Sequence, residues 1–487
     1  MKLERLAIKA WTRVGTRFLP FADAASVDLP LPRLLRLSLF QVSVGMALAL
    51  LNGTLNRVMI VELAVPAWLV SLMIALPIAF APLRALIGFR SDHHASALGW
   101  KRVPYIWFGS MMQFGGLAIL PFALLVLTGG GQGPAWVGHA GAALGFLLIG
   151  AGLHTTQTAG LALATDLAAP AQRPRVVALL YVSLLLGMVG SGLLLGWLLQ
   201  SFSHLRLVQV IQGAALVTMA LNAVALWKQE ARRPRGSVEA PEAVPSFREA
   251  WQGFSAVPNA RRLLWAVGLG TAAFSMQDIL LEPFGGQILG LAVGQTSLVT
   301  AASAVGALLA YGLAAYRLKQ GVDPVRLAAS GVLVGVLAFV AVIFAEPLHL
   351  PGLFFVGAVL IGLGGGLFGV STLTQVMGLE SPDTAAGSRL ENGLALGAWG
   401  AVQASAAGGA IAVGGLLRDA ISTLAAGGWL GPALTGPATG YSAVYHLEIA
   451  LLFATLVALG PLVRRSVIAG DAPRPAAAKF GLAEFPG

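Results

Sequence analysis

The sequence contains no cysteine, and only 11% of its 487 residues are charged. Without cysteine the chain cannot form disulfide bonds, use a thiol nucleophile or bind a metal through thiolates. It also lacks the G-x-x-x-x-G-K-[ST] phosphate-binding loop and the H-E-x-x-H metal pair, so the usual signatures of an ATP-driven pump and of a zinc hydrolase are absent. We therefore expect a protein that is not an enzyme.

In place of charge, the chain carries long apolar runs. Apolar residues make up 57% of the chain and the mean hydropathy is +0.79, which is typical of integral membrane proteins. The runs are about 20 residues or longer, enough to cross a hydrocarbon core of roughly 30 Å, and they do not alternate as strands would. An all-α membrane protein with twelve transmembrane helices is predicted, at residues 34–60, 66–89, 103–127, 137–165, 175–200, 206–228, 263–289, 295–316, 325–345, 352–378, 388–416 and 441–463.

Charged residues inside two of these runs indicate a duplicated bundle. The first run contains Arg57 near its end, with Glu62 just after it, and the seventh contains Asp278 and Glu282 at an equivalent place. Ionisable side chains within a bilayer are costly and usually have a function or a partner. Their recurrence predicts two pseudo-symmetric six-helix halves with a polar site between them.

The two halves define the predicted organisation of the chain. Residues 34–228 form the first half, residues 263–465 form the second, and the proline-rich and charged stretch 229–262 is the cytoplasmic linker between them. Residues 1–33 form a basic arm with the periodicity of an amphipathic helix, typical of a helix that lies in the plane of a membrane surface. Residues 466–487, rich in Ala and Pro, form a C-terminal tail.

Basic residues predict the orientation, because cytoplasmic loops retain Lys and Arg. With both termini cytoplasmic, all 31 Lys and Arg residues except Arg57, Arg206 and Arg418 lie in cytoplasmic segments. The formal net charge of +10 reflects this bias and suits an anionic lipid surface, and it is weak evidence for nucleic acid. We expect membrane lipid as a partner, and no nucleic acid.

Two acid–arginine pairs repeat between the halves. Asp166 and Arg175 flank the loop between helices 4 and 5, and Glu380 and Arg389 flank the loop between helices 10 and 11 with the same spacing. An acid that ends one helix and an arginine that begins the next can pair across the turn, or they can brace neighbouring helices. Because both pairs lie at the cytoplasmic edge, structural bracing is their favoured role.

Twelve helices in two halves, with a Gly-x-x-x-Asp motif and basic residues between helices 2 and 3, resemble the major facilitator superfamily. The loop motif here comprises Gly88, Asp92, Gly99, Lys101 and Arg102. The superfamily's Asp is usually followed closely by Arg and Gly, whereas six other residues separate Asp92 from Gly99 in this chain. The loop motif of the superfamily is therefore longer in this chain.

Three longer segments resemble one branch of that superfamily. They are LNRVMIVELAVPAWLV at 55–70, GFRSDHHASALGWKRVPYIWFG at 88–109 and MQDILLEPFGGQILG at 276–290. They look like the bacteriochlorophyll delivery branch, the PucC and LhaA proteins of purple phototrophs. The resemblance implies an assembly factor for light-harvesting complexes in the inner, photosynthetic intracytoplasmic membrane. It hands bacteriochlorophyll to antenna polypeptides or chaperones their assembly, with pigment-synthesis enzymes as further partners.

A pigment-handling protein would need a ligand for the magnesium of bacteriochlorophyll, typically a neutral imidazole, with an amide oxygen as an alternative. Of the seven histidines, only His154 lies well inside a predicted helix. Gln157 lies one turn away on the same face, and Asn52 and Asn56 share a face of helix 1, so these amides could bind the ring's carbonyl substituents. The favoured alternative is that His154 hydrogen-bonds a neighbouring helix.

In the superfamily's arrangement, helices 1 and 7 face each other across a central cavity. Arg57 could then pair with Asp278 or Glu282 and lock the periplasmic side shut. Three functions stay open: an assembly factor that binds and delivers bacteriochlorophyll, a proton-coupled carrier of a small solute, and a pigment-free scaffold for antenna subunits. The proton site of such a carrier would be Glu62, Asp278 or Glu282. The presence of acids within the membrane, taken alone, favours the carrier function. The family motifs favour the first or the third.

Overall fold

The computed structural model describes Ala24 and residues 29–79, 100–129, 134–169, 172–230, 259–377 and 389–469, without the side chains of 79, 135, 174, 389–397 and 464–469, and its regular elements there are helices. Most of the C-terminal tail, of the N-terminal arm and of the linker falls outside these residues. Their predicted organisation therefore stays a prediction.

Twelve helical segments follow one another in the described residues, and eleven of them are long and apolar enough to cross a membrane. They are α1 (Leu31–Glu62), α2 (Ala67–Ala79), α3 (Val103–Leu127), α4 (Ala135–Leu167), α5 (Arg173–Leu198), α6 (His204–Leu226), α7 (Ala260–Gln287), α8 (Val293–Lys319), α9 (Pro324–Ala345), α10 (Pro351–Met377), α11 (Arg389–Ala426) and α12 (Thr439–Ala469).

The helices agree with the predicted segments except at a few ends. Helix α2 is described only as far as Ala79, so the full second span stays a prediction, as does the orientation of the termini. Helix α11 continues well beyond the predicted end at residue 416. Arg418 and Asp419 interrupt the apolar run there, but they pair with each other at 2.7 Å and the helix continues through them.

The two halves meet along four pairs of helices. Helix α5 packs on α8, α2 packs on α11, and the irregular parts of α1 contact α7 and α8. Within the halves, α3 packs closely on α4, and α10 packs on both α8 and α9. This arrangement puts α1 and α7, which carry the repeated charged motifs, side by side in the middle of the bundle.

The crossing of α8 and α10 is close enough to require glycine. A Cβ atom on Gly306 would overlap the carbonyl oxygen of Val359, and one on Gly362 would overlap that of Ser303. Small residues at such crossings let helix backbones approach, which stabilises packing between membrane helices.

We expect Gly306→Ala to lower the stability of the purified protein by about 2 kcal/mol, because the added methyl group would force the two helices apart. Thermal unfolding in mild detergent measures this loss. Gly312→Ala is the matched control, since Gly312 lies on the same helix and a Cβ atom there meets open space. Equal melting temperatures for the two variants would contradict the close crossing.

Candidate functional site

Both helices that carry the repeated motifs depart from a regular α-helix at those motifs. Helix α1 has wide, π-helical turns over Ala49–Leu55 and Val58–Glu62. Helix α7 has a tight 3-10 turn, Met276–Ile279, between Ala260–Ser275 and Leu281–Gln287. Such irregular turns are frequent at functional sites, and paired interruptions in two halves often mark the binding site of a carrier.

A polar cavity of about 170 Å³ lies between the halves beside these irregular turns. Helices α1 and α5 line it from the first half, and α7 and α8 line it from the second. The lining residues are Leu48, Asn52, Met188, Gln277, Asp278, Leu281, Glu282, Val299, Thr300 and Ser303. The structure therefore brings together Asn52, Asp278 and Glu282 among the predicted site residues.

Each acidic side chain in the cavity is held by one neighbour. Thr300 Oγ1 donates a hydrogen bond to Glu282 Oε1, and Gln277 Nε2 donates one to Asp278 Oδ1, both at 2.6 Å. Glu282 is only 3% exposed, and its Oε1 lies against Gly53 of α1. The buried Oε2 of Glu282 has no hydrogen-bond partner among the described residues. The carboxylate thus sits in the contact between the halves with one oxygen left over.

Arg57, buried beside this site, does not make the predicted ion pair with Asp278 or Glu282. Its Nη1 pairs with Glu62 on its own helix at 2.5 Å. Its Nη2 donates a hydrogen bond to the carbonyl oxygen of Leu291, just before α8, at 3.1 Å. Arg57 therefore joins the two halves, but it does so through a backbone carbonyl group and not through an acid.

Arg57 and Glu282 do not pair because their side chains contact the facing helices at different heights along the bundle. The guanidinium group of Arg57 lies against Gly286, four residues after Glu282 on α7. The Glu282 carboxylate lies against Gly53, four residues before Arg57 on α1. Four residues correspond to about 6 Å along a helix, so the acid and the arginine meet different turns of the facing helices.

A polar cluster of the second half lies at the same end of the bundle and contacts the first half through Asp419. Gln287 Oε1 accepts hydrogen bonds from Arg418 Nη2 at 2.5 Å and from the Tyr441 hydroxyl at 2.6 Å. Asp419, paired with Arg418, accepts the backbone N–H of Trp68 at the start of α2 at 2.8 Å. The bonds of Gln287 to Arg418 and Tyr441 lie within the second half. Among these contacts it is therefore the one from Asp419 to Trp68 that, with Arg57, joins the halves beyond the cavity.

Glu448 on α12 is a buried acid that the sequence analysis missed. It is fully buried, and its Oε1 accepts the backbone N–H of Gln277 at 2.6 Å, at the irregular turn of α7. The sequence feature that could have identified it is that Glu448 is a single acid inside the apolar run 441–463. Because the corresponding sixth run has no acid, a search for repeated acids did not find it.

At the opposite end of the bundle, Asp166 pairs with Arg102 Nε at 3.1 Å, a contact that braces the end of α4 against the start of α3. The cause is the close packing of α3 on α4, which brings the start of α3 to the end of α4. Gly88, Asp92, Gly99 and Glu380 of the predicted motifs lie outside the described residues, and Arg389 begins α11 with a side chain that is not described.

Lys101 and Arg102 of the loop motif lie at the start of α3, where Glu230 caps the helix. The Glu230 carboxylate accepts the backbone N–H groups of Lys101 at 2.7 Å, of Arg102 at 3.0 Å and of Val103 at 2.9 Å. A carboxylate at a helix N-terminus satisfies free N–H groups and interacts favourably with the helix dipole. The end of α6 is thereby fastened to the start of α3.

His154 and Gln157 lie on α4, apart from the cavity residues. His154 is half-buried and Gln157 is buried. Gly150, four residues before His154, lies against Pro77, so this face of α4 is turned toward α2. The four predicted pigment-binding residues therefore fall into two groups, one on α4 and one on α1.

The group on α1 does not fit a pigment in this structure. Asn52 faces a cavity of about 170 Å³, whereas pockets that enclose even drug-sized ligands measure about 300–1,000 Å³. Asn56 Nδ2 donates to the carbonyl oxygen of Ile279 at 2.7 Å and to that of Asn52 at 3.0 Å. Asn52 and Asn56 thus belong to the contact between α1 and α7, and His154 and Gln157 stay candidates for pigment.

Comparison with known sequences confirms the predicted resemblance. The family model described as PUCC protein matches residues 54–467. An uncharacterized protein in the puhA-bchM intergenic region of Rhodobacter capsulatus is 55% identical, over 96% of this chain and 97% of its own. Protein PucC of Rhodovulum sulfidophilum is 55% identical over 86% and 92%. The bacteriochlorophyll synthase 44.5 kDa chain of Rhodobacter capsulatus is 30% identical over 77% and 85%.

Comparison with solved structures shows the fold. A bacterial homologue of the human lysosomal transporter Spinster, inward-facing and unoccupied, superposes with a TM-score of 0.65 at 15% identity, over 91% of this chain and 98% of that one. The nucleoside transporter NupG gives 0.60 at 16% identity, over 88% and 98%. The fold is therefore of the major facilitator type, in a multi-pass bacterial membrane protein. Since the family model covers most of the sequence, the chain belongs to the PucC family.

Proposed function

We propose that this protein is an assembly factor for light-harvesting antenna complexes, which binds bacteriochlorophyll in the photosynthetic membrane and hands it to antenna polypeptides. The observation that carries the proposal is membership of the PucC family across both halves, over residues 54–467. A relative whose name refers to bacteriochlorophyll synthesis supports a link to the pigment. The proposed role is not enzymatic.

His154 is the proposed axial ligand of the pigment magnesium, and Gln157 would bind a substituent of the ring. An imidazole that is half-buried on a membrane helix can supply the single neutral nitrogen ligand that the magnesium needs. Two grooves on the outside of the bundle offer more room than the inter-half cavity. They measure about 450 Å³ between α5 and α8 and about 330 Å³ among α1, α5 and α6. They are the alternative places for the pigment.

The proposal is tested by purifying the full chain in mild detergent from a pigment-making host and recording its near-infrared spectrum. We expect about one bacteriochlorophyll per chain and its loss in His154→Ala, with helix content and melting temperature retained. His446→Ala is the control, because His446 is exposed on α12. Pigment that persists in His154→Ala would move the site to the outer grooves, and a folded chain without pigment would overturn direct pigment binding.

A proton-coupled carrier is the second candidate function. It is favoured by the polar inter-half cavity with Asp278 and Glu282 and by a fold shared with transporters. The third candidate function is a pigment-free scaffold for antenna subunits. Whether the chain needs pigment to capture antenna polypeptides distinguishes this scaffold from a delivery factor. We expect the purified chain to capture antenna polypeptides only after it has been loaded with bacteriochlorophyll, and equal capture without pigment would favour the scaffold.

A further inference from the structure

We propose that the cavity between the halves is a binding site for a small monovalent cation, of which Na⁺ is the probe. The proposal goes beyond pigment delivery and does not rest on it. Its starting point is the donor set: the polar atoms that line the cavity come from Asn52, Gln277, Asp278, Glu282, Thr300 and Ser303, and no Lys, Arg or His lines it. Carboxylate, amide and hydroxyl oxygens are hard ligands that suit such a cation.

Two carboxylates in the cavity each retain an oxygen for a ligand. Thr300 binds one oxygen of Glu282, and Gln277 binds one oxygen of Asp278. The other oxygen of Glu282, Oε2, is buried without a hydrogen-bond partner among the described residues. A buried polar atom with no partner is costly, and a cation in the adjoining cavity would satisfy it.

The lining of the cavity contains no basic side chain that could neutralise Asp278 and Glu282. Arg57 is engaged by Glu62 and by the carbonyl oxygen of Leu291 and is not a lining residue. Asp278 and Glu282 lie four residues apart on α7, so both can face one side of the helix. The lining of the cavity therefore carries two acidic side chains and no basic one.

The backbone of α7 adds to this preference. The segment Ala260–Ser275 ends at the 3-10 turn Met276–Ile279, beside the cavity. The C-terminal end of a helix carries partial negative charge, and interrupted helices in carriers use such ends to hold Na⁺ or H⁺. No group of three or more His, Asp or Glu residues able to hold a metal ion occurs in the described part of the chain, and binding of a divalent ion is kept as a contrary outcome of the test.

The position of the site predicts what the cation does. Asn52 comes from the first half, and Asp278 and Glu282 come from the second. Two residues further along α1, Thr54 and Ser297 already hydrogen-bond across the contact at 2.9 Å. A cation bound to both sets of oxygens would hold the halves together, so its occupancy would stabilise this arrangement of the bundle.

The test is the melting temperature of the purified, pigment-free full chain in about 100 mM NaCl, KCl or choline chloride. We expect NaCl to raise the melting temperature by about 3 °C or more relative to choline, with a dependence on concentration, and KCl to raise it less. Asp278→Asn and Ser303→Ala should each remove most of the Na⁺ effect. Glu346→Gln, which changes an acid at the end of α9 away from the cavity, should keep it.

Direct binding supplies the second readout. Equilibrium binding of radioactive Na⁺ should give about one ion per folded wild-type chain and at least a tenfold weaker affinity in Ser303→Ala, which retains both acids and their charge. Equal protection by the three salts, Na⁺ protection that persists in Asp278→Asn, or protection by Ca²⁺ in place of Na⁺ would each overturn the assignment. None of these measurements involves pigment, so their failure is distinguishable from failure of the delivery function.

Discussion

Replacing Glu448 with leucine is expected to destabilise the protein by about 2 kcal/mol relative to replacing it with glutamine. Glu448 is fully buried, and its Oε1 accepts the backbone N–H of Gln277. Leucine would fill a similar volume but leave that N–H buried without an acceptor, which costs about 1–3 kcal/mol. Glutamine keeps an oxygen in the same place, so the pair of variants separates the hydrogen bond from the carboxyl charge.

Thermal unfolding of the two variants and of the wild type in the same detergent measures the difference. We expect Glu448→Gln to unfold near the wild type and Glu448→Leu to unfold at a lower temperature. Glu346→Gln, at the end of α9, controls for the loss of an acid as such. Equal stability of Glu448→Leu and Glu448→Gln would mean that the bond to Gln277 does not hold the irregular turn of α7.

The expected loss would extend to the cavity, because Glu448 holds the turn from which the cavity acids project. Gln277 bonds to Glu448 through its N–H and to Asp278 through its side-chain amide. A change at Glu448 is therefore transmitted through one residue to the lining of the cavity. We accordingly treat Glu448 as a positioning residue of α7, outside the lining itself.

Sequence reasoning predicted the helices because each needs a long apolar run, and that requirement is written in consecutive residues. It also placed Asp278 and Glu282 on the contact between the halves, because they recur at the position of Arg57 and Glu62. It did not predict the wide turns of α1 or the 3-10 turn of α7. Hydropathy does not distinguish a regular helix from a distorted one, so these features depend on the packing of the two halves.

Partners of charged side chains were harder to predict than their positions. Spacing in the sequence left two roles open for Asp166, a pair with Arg175 across a short loop or the bracing of neighbouring helices, and it did not identify Arg102 at the start of α3 as the partner. Glu230 likewise caps α3, although three membrane spans lie between α3 and Glu230 in the sequence. Such contacts form between helices that are distant in sequence, and only the packing of the bundle brings them together.

Replacing Arg57 with alanine is expected to shift the protein toward a state in which the halves separate at the Arg57 end of the bundle. The change removes the bond from Arg57 Nη2 to the carbonyl oxygen of Leu291 and the pairing of Arg57 with Glu62. Loss of a hydrogen bond from a charged group costs about 1.5–3 kcal/mol, which changes the ratio of two conformations by about tenfold or more.

Spin labels can measure this shift cleanly, because the native chain has no cysteine to remove. Trp136→Cys at the start of α4 and Leu348→Cys after α9 place exposed labels on opposite halves at the Arg57 end. We expect a longer distance population to grow in Arg57→Ala and to stay minor in Arg206→Ala, which removes an exposed arginine at the same end. Asp419 still joins the halves there through the backbone N–H of Trp68, so the shift should be partial. An unchanged distance distribution would show that this end of the bundle stays closed without Arg57.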